Sequence, residues 1–284
     1  MEPVTSVVVG AAAGVATKEL ITKAWHSGER WLKSFFKDHE PKAQEAARVN
    51  ALDFLAELAG RVQAIEESVA SIPDAREQIQ NALSDPDFSA LLQAAMIASG
   101  RTDSPEKHKL LARAVSERLL AGPESLIALA TNLACDAIPH LSPKHLRCLG
   151  IMTLVYGTRP DPFPPQIPPE TFGQWWSGWL VKILSPLMPV ATMTEVDYGH
   201  LVAVSCITYD YVGSRDLKRL LSPPEDSGMA WDAENFLKET DVGQELSRHW
   251  KDGMQHAVPT SAGRLLGIYV DDHLTGMKTK ITWD

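Results

Sequence analysis

Five polar residues near the carboxyl end have the side-chain types that metal binding requires. Asp271, Asp272 and His273, with His249 and His256, offer the carboxylates and imidazoles that bind transition metals. No two of these histidines stand four residues apart, and adjacent aspartates diverge on any regular element. We therefore predict that the Asp-Asp-His run forms a polar turn and that the chain has no metal site. An enzyme that uses His249, Asp271, Asp272 and His273 stays open as an alternative.

Cys135 and Cys148 are the candidate nucleophiles, because His140 and His145 stand close to them in the sequence. A reactive thiol needs a base within hydrogen-bond reach and a lowered pKa. Both cysteines stand among leucines and alanines in helical patterns, and Cys206 also has apolar neighbours. We predict buried, reduced thiols, as in a cytosolic protein. The sequence carries no glycine-rich phosphate loop or other catalytic motif, so no catalytic residue and no cofactor is predicted.

The amino-terminal patterns indicate association with a surface more strongly than any motif indicates catalysis. Val4–Ala16 is apolar and uncharged, and Lys18–Lys37 follows as an amphipathic helix with an aromatic and a basic face. The predicted membrane or assembly face consists of Val7, Gly10, Gly14, Ile21, Trp25, Trp31, Leu32, Phe35 and Phe36. The predicted contacts to lipid headgroups are Lys18, Lys23, Arg30, Lys33 and Lys37. Gly10 and Gly14 have the GxxxG spacing that lets two helices approach closely.

A helical hairpin is the competing interpretation of the same segment. Within Pro41–Ile72, apolar residues recur in steps of three and four, and Lys18–Lys37 carries a matching seam. Pro41 separates the two helices. In a hairpin the aromatic face would be core. The uncharged run Val4–Ala16 is shorter than the ~18–20 residues that a helix needs to span a bilayer, so we expect no stable single span.

Proline positions divide the remainder of the chain. Ser104-Pro105-Glu106 predicts a helix start, and the six prolines within Arg159–Thr171 predict a stiff linker. We predict an all-α protein with an N-terminal helical hairpin (1–72), a helical bundle (73–158), a proline-rich linker (159–171) and a smaller, mostly helical C-terminal subdomain (172–284). That subdomain has at most a short strand pair, with one strand expected at Thr279–Trp283. Trp175, Trp176 and Trp179 form a predicted partner or packing cluster just after the linker.

Composition narrows the classes of partner. Hydrophobic residues make up 44% of the chain and charged residues 22%, which is typical of a folded protein. The net charge of −9 argues against a nucleic-acid binder, because phosphate neutralisation needs a basic face. The basic face of Lys18–Lys37 departs from this acidic average, so an anionic membrane surface is a candidate partner. The other two candidate partners are a second copy of the chain and another protein.

Several short motifs resemble those of a known group of proteins. They are Ser104–Leu119, Glu124–Leu126, Ala134–Ile138, Leu141–Leu146 with Leu149 and Gly150, Trp250–Gly253, Pro259–Gly263, Leu266–Ile268 and Leu274–Gly276. Together they resemble an uncharacterised family of bacterial all-helical proteins whose layout is similar to that of the alpha-type abortive-infection proteins associated with phage defence. The resemblance covers residues 85–157 and 242–276. It implies an intracellular bacterial protein with a role in defence, and it carries over no catalytic residue.

Two functions follow as hypotheses from the sequence. The first is a non-enzymatic, cytoplasmic, defence-associated protein that acts through its N-terminal helix, either by self-assembly or as a peripheral protein at the inner membrane face. The second is a protein-interaction or sensor module, with a dimerising hairpin and a C-terminal subdomain that binds a protein or nucleic-acid partner. Both predict a homo-oligomer.

Overall fold

The fold is almost entirely helical. A computed structural model describes residues 14–68, 75–122, 124–157, 167–188, 190–224, 231–277 and 279. Within these ranges the regular structure is helical except for one antiparallel pair of short strands. The predicted all-α class with a short strand pair is therefore confirmed. The chain divides into two compact units, and the boundary follows His140.

The first unit contains six α-helices among its described residues. They are α1 (Val15–Phe35), α2 (Pro41–Ser68), α3 (Ala75–Ser84), α4 (Pro86–Gly100), α5 (Pro105–Arg118) and α6 (Leu126–Ala137), followed by a 3₁₀ turn at Ile138–His140. Asp85, Ser104 and Ser125 cap α4, α5 and α6, because each side chain accepts a hydrogen bond from a backbone N–H of the first turn. The predicted helix start at Ser104 is confirmed.

Helices α1 and α2 form an antiparallel hairpin. At its open end, the amide of Thr17 donates to Oε2 of Glu66 at 3.1 Å, and the hydroxyl of Thr17 bonds to the same oxygen. Nearer the connection, the guanidinium of Arg48 lies 5.8 Å from the centre of the Trp25 ring. The inner side of α2 buries Ala51, Leu55, Leu58 and Val62 of the predicted seam. The hairpin is thus held together within one chain by an apolar seam and a polar link.

The second unit combines helices with the small sheet. Its elements are α7 (Pro143–Gly157), α8 (Pro169–Leu184), a 3₁₀ turn at Ser185–Leu187, α9 (Glu195–Ala203), β1 (Ile207–Tyr209), α10 (Leu217–Leu221), α11 (Ala233–Glu239), α12 (Asp241–Lys251), a 3₁₀ turn at Met254–His256, β2 (Ala257–Pro259) and α13 (Ser261–Thr275). The strands are antiparallel, with Thr208 opposite Val258. Of the strand predicted at Thr279–Trp283, residues 280–283 lie outside the described residues.

The centre of the second unit is the crossing of α7 and α13. A Cβ atom at Gly267 would overlap the Thr153 hydroxyl and the carbonyl oxygen of Leu149, so glycine lets the two helix backbones approach closely. Helix α13 continues past the Asp271-Asp272-His273 run, where we predicted a polar turn. It ends only at Gly276, whose φ of 72° supplies the left-handed C-cap.

The boundary between the units differs from the predicted one. We placed residues 143–157 in the first bundle, but α7 belongs to the second unit because it packs along α13. The predicted linker also ends earlier than expected, since α8 begins at Pro169. Residues 158–166 lie outside the described residues. No helix among the described residues is both long enough and apolar enough to cross a bilayer.

Candidate functional site

Most of the predicted membrane or assembly face lies inside the first unit. Ile21, Trp25, Leu32 and Phe36 are buried, with Trp25 only 3% exposed, because α2 and α4 pack over this side of α1. Of the other predicted members, Trp31 is partly buried, Phe35 is exposed and Gly14 lies against the Glu66 carboxylate. Val7 and Gly10 lie outside the described residues. The expectation that this face points outward is thus corrected for its four buried members, which form hairpin core.

The basic side of α1 faces solvent. Lys18, Lys23, Arg30, Lys33 and Lys37 are all exposed. Two of them pair with acidic neighbours on the same helix: Nζ of Lys23 lies 2.7 Å from Glu19, and Nζ of Lys33 lies 2.9 Å from Glu29. Lipid contact through the full aromatic and basic surface stays a prediction, and it would require α2 to separate from α1.

A cleft of ≈ 220 Å³ opens where α1 ends and α2 begins. Its floor consists of the buried rings of Trp25 and Phe36 with Leu32. Its rim carries charges of both signs that pair with each other: Lys33 with Glu29, and Arg48 with Glu45. Because these charges already have partners in the chain, the rim shows no preference for an anionic or a cationic ligand.

The predicted tryptophan cluster anchors the core of the second unit. Trp176 is fully buried, and its indole N–H donates to the carbonyl oxygen of Leu221 at 3.0 Å. Trp175 and Trp179 are partly exposed, and their ring centres lie 6.0 and 5.0 Å from that of Trp176. Of the two predicted alternatives, partner contact and packing, the geometry of Trp176 corresponds to packing.

The three cysteines are buried, unpaired thiols. Burial raises the pKa of Cys148 and of Cys206 to about 12, and burial also raises the pKa of Cys135. A thiol with such a pKa has almost no thiolate form at neutral pH, and the thiolate is the nucleophile. The structure therefore agrees with structural thiols at these positions.

His145 and Asp197 form a buried pair that we did not predict from the sequence. Nε2 of His145 lies 3.1 Å from Oδ1 of Asp197, and the backbone N–H of Ser142 donates to Nδ1 of His145 at 3.2 Å. Because Nδ1 accepts, the ring hydrogen must be on Nε2 and points to Asp197. Both ring nitrogens are thus occupied. Such a histidine connects α7 to α9 and offers no lone pair to a substrate.

The charge state of this pair is set by burial and by hydrogen bonds. Burial lowers the pKa of His145, and the hydrogen bond and charge of Asp197 offset part of that effect. Burial alone would raise the pKa of Asp197. Hydrogen bonds from Lys144, Thr194 and His145 outweigh it and hold the pKa of Asp197 well below its usual range. An ionised aspartate beside a neutral histidine also fits a structural role, since Asp197 completes the capping box of α9.

The other polar residues that we considered do not converge. No group of three or more His, Cys, Asp or Glu side chains among the described residues is arranged to hold a metal ion. His249 is buried beside Glu245, His256 bonds to the carbonyl oxygen of Gly213, and His273 is exposed. Asp272 accepts hydrogen bonds from Thr279. Each of these side chains has a separate environment.

Helix α6 carries a surface feature that we did not predict. Its buried side consists of small residues, namely Ala128, Ala130, Thr131, Ala134, Cys135 and Ala137. Its outer side carries Leu126, Leu129 and Leu133, which are 50%, 50% and 47% exposed. The larger apolar side chains therefore point to solvent and the smaller ones point to the core, which reverses the usual arrangement of an amphipathic helix. We call Leu126, Leu129 and Leu133 the leucine seam.

Hydrogen bonds around the buried Arg118 connect α6 to two other helices of the unit. Arg118 is 1% exposed, and its Nη2 lies 2.8 Å from Asp85 and 3.1 Å from Asp87. The amide of Asn132, on α6, donates to Asp87 at 3.2 Å. The end of α5, the start of α4 and the middle of α6 are thereby connected through charge-assisted hydrogen bonds. The seam residues consequently face away from the unit.

The spacing of the seam is that of a helix-pairing surface. Leu126, Leu129 and Leu133 stand at steps of three and four, as in a coiled-coil seam, and Asp136 occupies the next step. This spacing is visible in the sequence. The sequence alone cannot show which of two apolar sides of α6 is buried, and for that reason the seam was missed.

The comparisons with known proteins give one match. A protein-family model matches residues 20–224, and the function of that family is unknown. The matched range begins in α1 and includes the leucine seam. No curated protein and no solved structure matches the chain. The match carries no link to abortive-infection proteins, so that resemblance stays a prediction.

Proposed function

We propose that this chain, which belongs to the matched family of unknown function, is a non-enzymatic interaction protein that associates with itself. In this proposal, α6 of one copy pairs with α6 of a second copy. The leucine seam is the observation that carries this proposal. Three half-exposed leucines on one side of a short helix are an apolar surface that a monomer has no structural need for, since alanines already pack the inner side.

Charge favours an antiparallel pair of helices. In a parallel pair, Asp136 would face Asp136 of the second copy, and like charges at such positions are unfavourable. In an antiparallel pair whose symmetry axis lies between Leu129 and Ala130, Leu126 packs against Leu133 of the second copy. Asp136 then lies beside the start of the second copy's α6, where the amide dipoles favour a carboxylate and the nearby Glu124 opposes it, and it no longer faces Asp136 of that copy. The leucine seam of a second copy is thus a suitable partner for the leucine seam of the first.

The buried polar groups also support an interaction role. The imidazole of His145 has both nitrogens occupied, and burial raises the pKa values of the cysteine thiols. These groups serve packing and helix connection. The leucine seam, in contrast, leaves about half of the surface of each leucine open to solvent.

The size of the seam sets the expected affinity. A contact limited to one short helix from each copy buries less than the ~800 Å² per partner of a standard stable interface, so we expect a dissociation constant in the micromolar range. Light scattering after size-exclusion chromatography, at a series of protein concentrations, should show the mass rising from that of a monomer to that of a dimer.

Substitution at Leu129 tests the seam directly. Leu129→Glu places two carboxylates at the proposed symmetry axis, so we expect dimer formation to weaken by about tenfold or more. Val49→Glu, at another half-exposed apolar residue of the same unit, is the matched control and should retain the wild-type mass. An equimolar mixture of Leu129→Glu and Leu129→Lys should recover the dimer. A wild-type protein that stays monomeric at every concentration, or a Leu129→Glu variant that pairs like the control, would refute the proposal.

A further inference from the structure

The loop between β1 and α10 presents two of the most exposed apolar side chains of the described structure. Val212 is 96% exposed and Tyr211 is 73% exposed, and only Val196 among the other large apolar side chains described exceeds 70%. These residues belong to the second unit, so this surface is separate from the leucine seam. We call Tyr211 and Val212 the loop tip.

Hydrogen bonds hold both ends of this loop to the segment before β2. The amide of Asp210 donates to the carbonyl oxygen of His256 at 2.8 Å, and the amide of Arg215 donates to that of Gln255 at 3.2 Å. Nδ1 of His256 lies 2.8 Å from the carbonyl oxygen of Gly213, so its hydrogen points to that oxygen. The loop is thus connected to the unit at its start, middle and end.

The loop also has internal support beneath its tip. Oδ1 of Asp210 accepts hydrogen bonds from the amides of Val212 and Gly213, each at 3.0 Å. The Tyr211 ring meets the Tyr209 ring edge to face at a centre distance of 4.9 Å, and Tyr209 in turn lies 5.4 Å from Tyr198. A fixed loop loses little conformational entropy on binding, so its apolar tip is preorganised for a partner.

The charges around the loop tip are mainly negative. Glu195, Asp210 and Asp216 are exposed, and Glu195 is near enough for its charge to contribute, after burial and Tyr211, to the raised pKa of Tyr209. Arg215 is the cation of the loop. Its guanidinium lies over the Tyr156 ring at 6.0 Å, and its charge adds a smaller contribution to the backbone hydrogen bonds of Gly213 and Val212 that lower the pKa of Asp210. We call Glu195, Asp210 and Asp216 the acidic collar. It complements a positively charged rim and repels anionic lipid.

We propose that the loop tip is a docking site for a partner protein that has an apolar socket rimmed by lysine or arginine. Tyr211 and Val212 fill the socket, and the acidic collar faces its rim. Aromatic residues in a preorganised centre with a polar rim are typical of the residues that dominate binding energy at interfaces. This proposal goes beyond self-association through α6 and does not depend on it.

Selection from a library of short random peptides displayed on phage tests the chemistry of the partner. The bait is the full chain, and the library is first depleted on the Tyr211→Ser/Val212→Ser variant. We expect enrichment of peptides that combine large apolar residues with lysine or arginine. A synthetic enriched peptide should bind the wild type at least about tenfold more tightly than the double variant. Val202→Ser, at an exposed valine of α9, is the matched control and should bind as the wild type does.

Two further measurements address the collar and the alternative occupant. Glu195→Gln and added salt should each weaken peptide binding, because both reduce the attraction to a basic rim. Cosedimentation with vesicles of zwitterionic and of anionic lipid should show no binding that depends on Val212. No enrichment over the double variant, enrichment of acidic peptides, or vesicle binding that the double variant loses would each overturn the proposal.

Discussion

Asp271 is a buried carboxyl group in an apolar helix crossing. It is 1% exposed, and neither carboxylate oxygen has a hydrogen-bond partner among the described residues. Burial, with a smaller contribution from the charge of Asp272, raises its pKa well above the ordinary value. Because the folded chain holds this proton more tightly than the unfolded chain, the group lowers stability as pH rises above ~4 and until pH reaches the raised pKa.

Asp271→Asn should therefore stabilise the protein at alkaline pH. Each pH unit between the unfolded and folded pKa values costs the wild-type fold about 1.4 kcal/mol, and an amide does not ionise. The variant should exceed the wild type in unfolding free energy at pH 8, with a difference that shrinks toward pH 4. Urea unfolding of both proteins between pH 4 and pH 8 measures this difference in unfolding free energy. Asp252→Asn, at an exposed aspartate, is the control, and a difference independent of pH would contradict the expectation.

At the scale of elements, the α7–α13 crossing depends on close backbone approach. Gly267 allows it, whereas Gly178 on α8 has no atom near the place where a Cβ would stand. Gly267→Ala forces Thr153 and the Leu149 carbonyl apart, so we expect it to destabilise the protein by about 1–3 kcal/mol. Gly178→Ala should stabilise it by about 0.5–1 kcal/mol, because alanine loses less backbone entropy in a helix. Thermal unfolding compares the two, and equal effects would show that the crossing tolerates a methyl group.

At the scale of the whole molecule, the two proposed surfaces lie in different units and share no residue, and sites without shared partners usually act additively. Leu129→Glu should leave the affinity for the selected peptide within about twofold of the wild-type value. Tyr211→Ser/Val212→Ser should in turn leave the dimer dissociation constant unchanged. Light scattering and peptide titration on both variants test this. A loss of both properties in either variant would show that the surfaces are coupled.

The helical class was predictable because most of the chain repeats apolar residues with helical spacing and marks helix starts with capping residues such as Ser104. The boundary between the two units was not predictable from the sequence. Helix α7 has apolar residues on nearly every side, and only its contact with α13 decides which core it joins. The burial of Asp271 was also not predictable, because the sequence pattern around it is typical of a polar turn. Its burial depends on α7, a helix more than a hundred residues earlier in the chain.

The candidate surfaces illustrate a second limit of sequence patterns. Trp25 and Phe36 were predicted to face outward because aromatic and basic sides alternate on α1, but periodicity shows only that one side is apolar and does not show what covers it. On α6 the sequence does not show which side is buried, because alanines and leucines are both apolar. The close packing of this helix places the alanines inside and the leucines outside. The loop tip depends on hydrogen bonds between segments that are distant in sequence.

The placement of alanines inside and leucines outside on α6 has a practical consequence for genetics. Substitutions at exposed positions usually change folding free energy by less than about 0.5 kcal/mol, so an allele altered only at Leu129 should accumulate in cells to the normal level. Any phenotype of such an allele could then be attributed to loss of pairing and not to loss of the protein. Few helices permit this separation, because in most of them the large side chains that could bind a neighbour also hold the fold together.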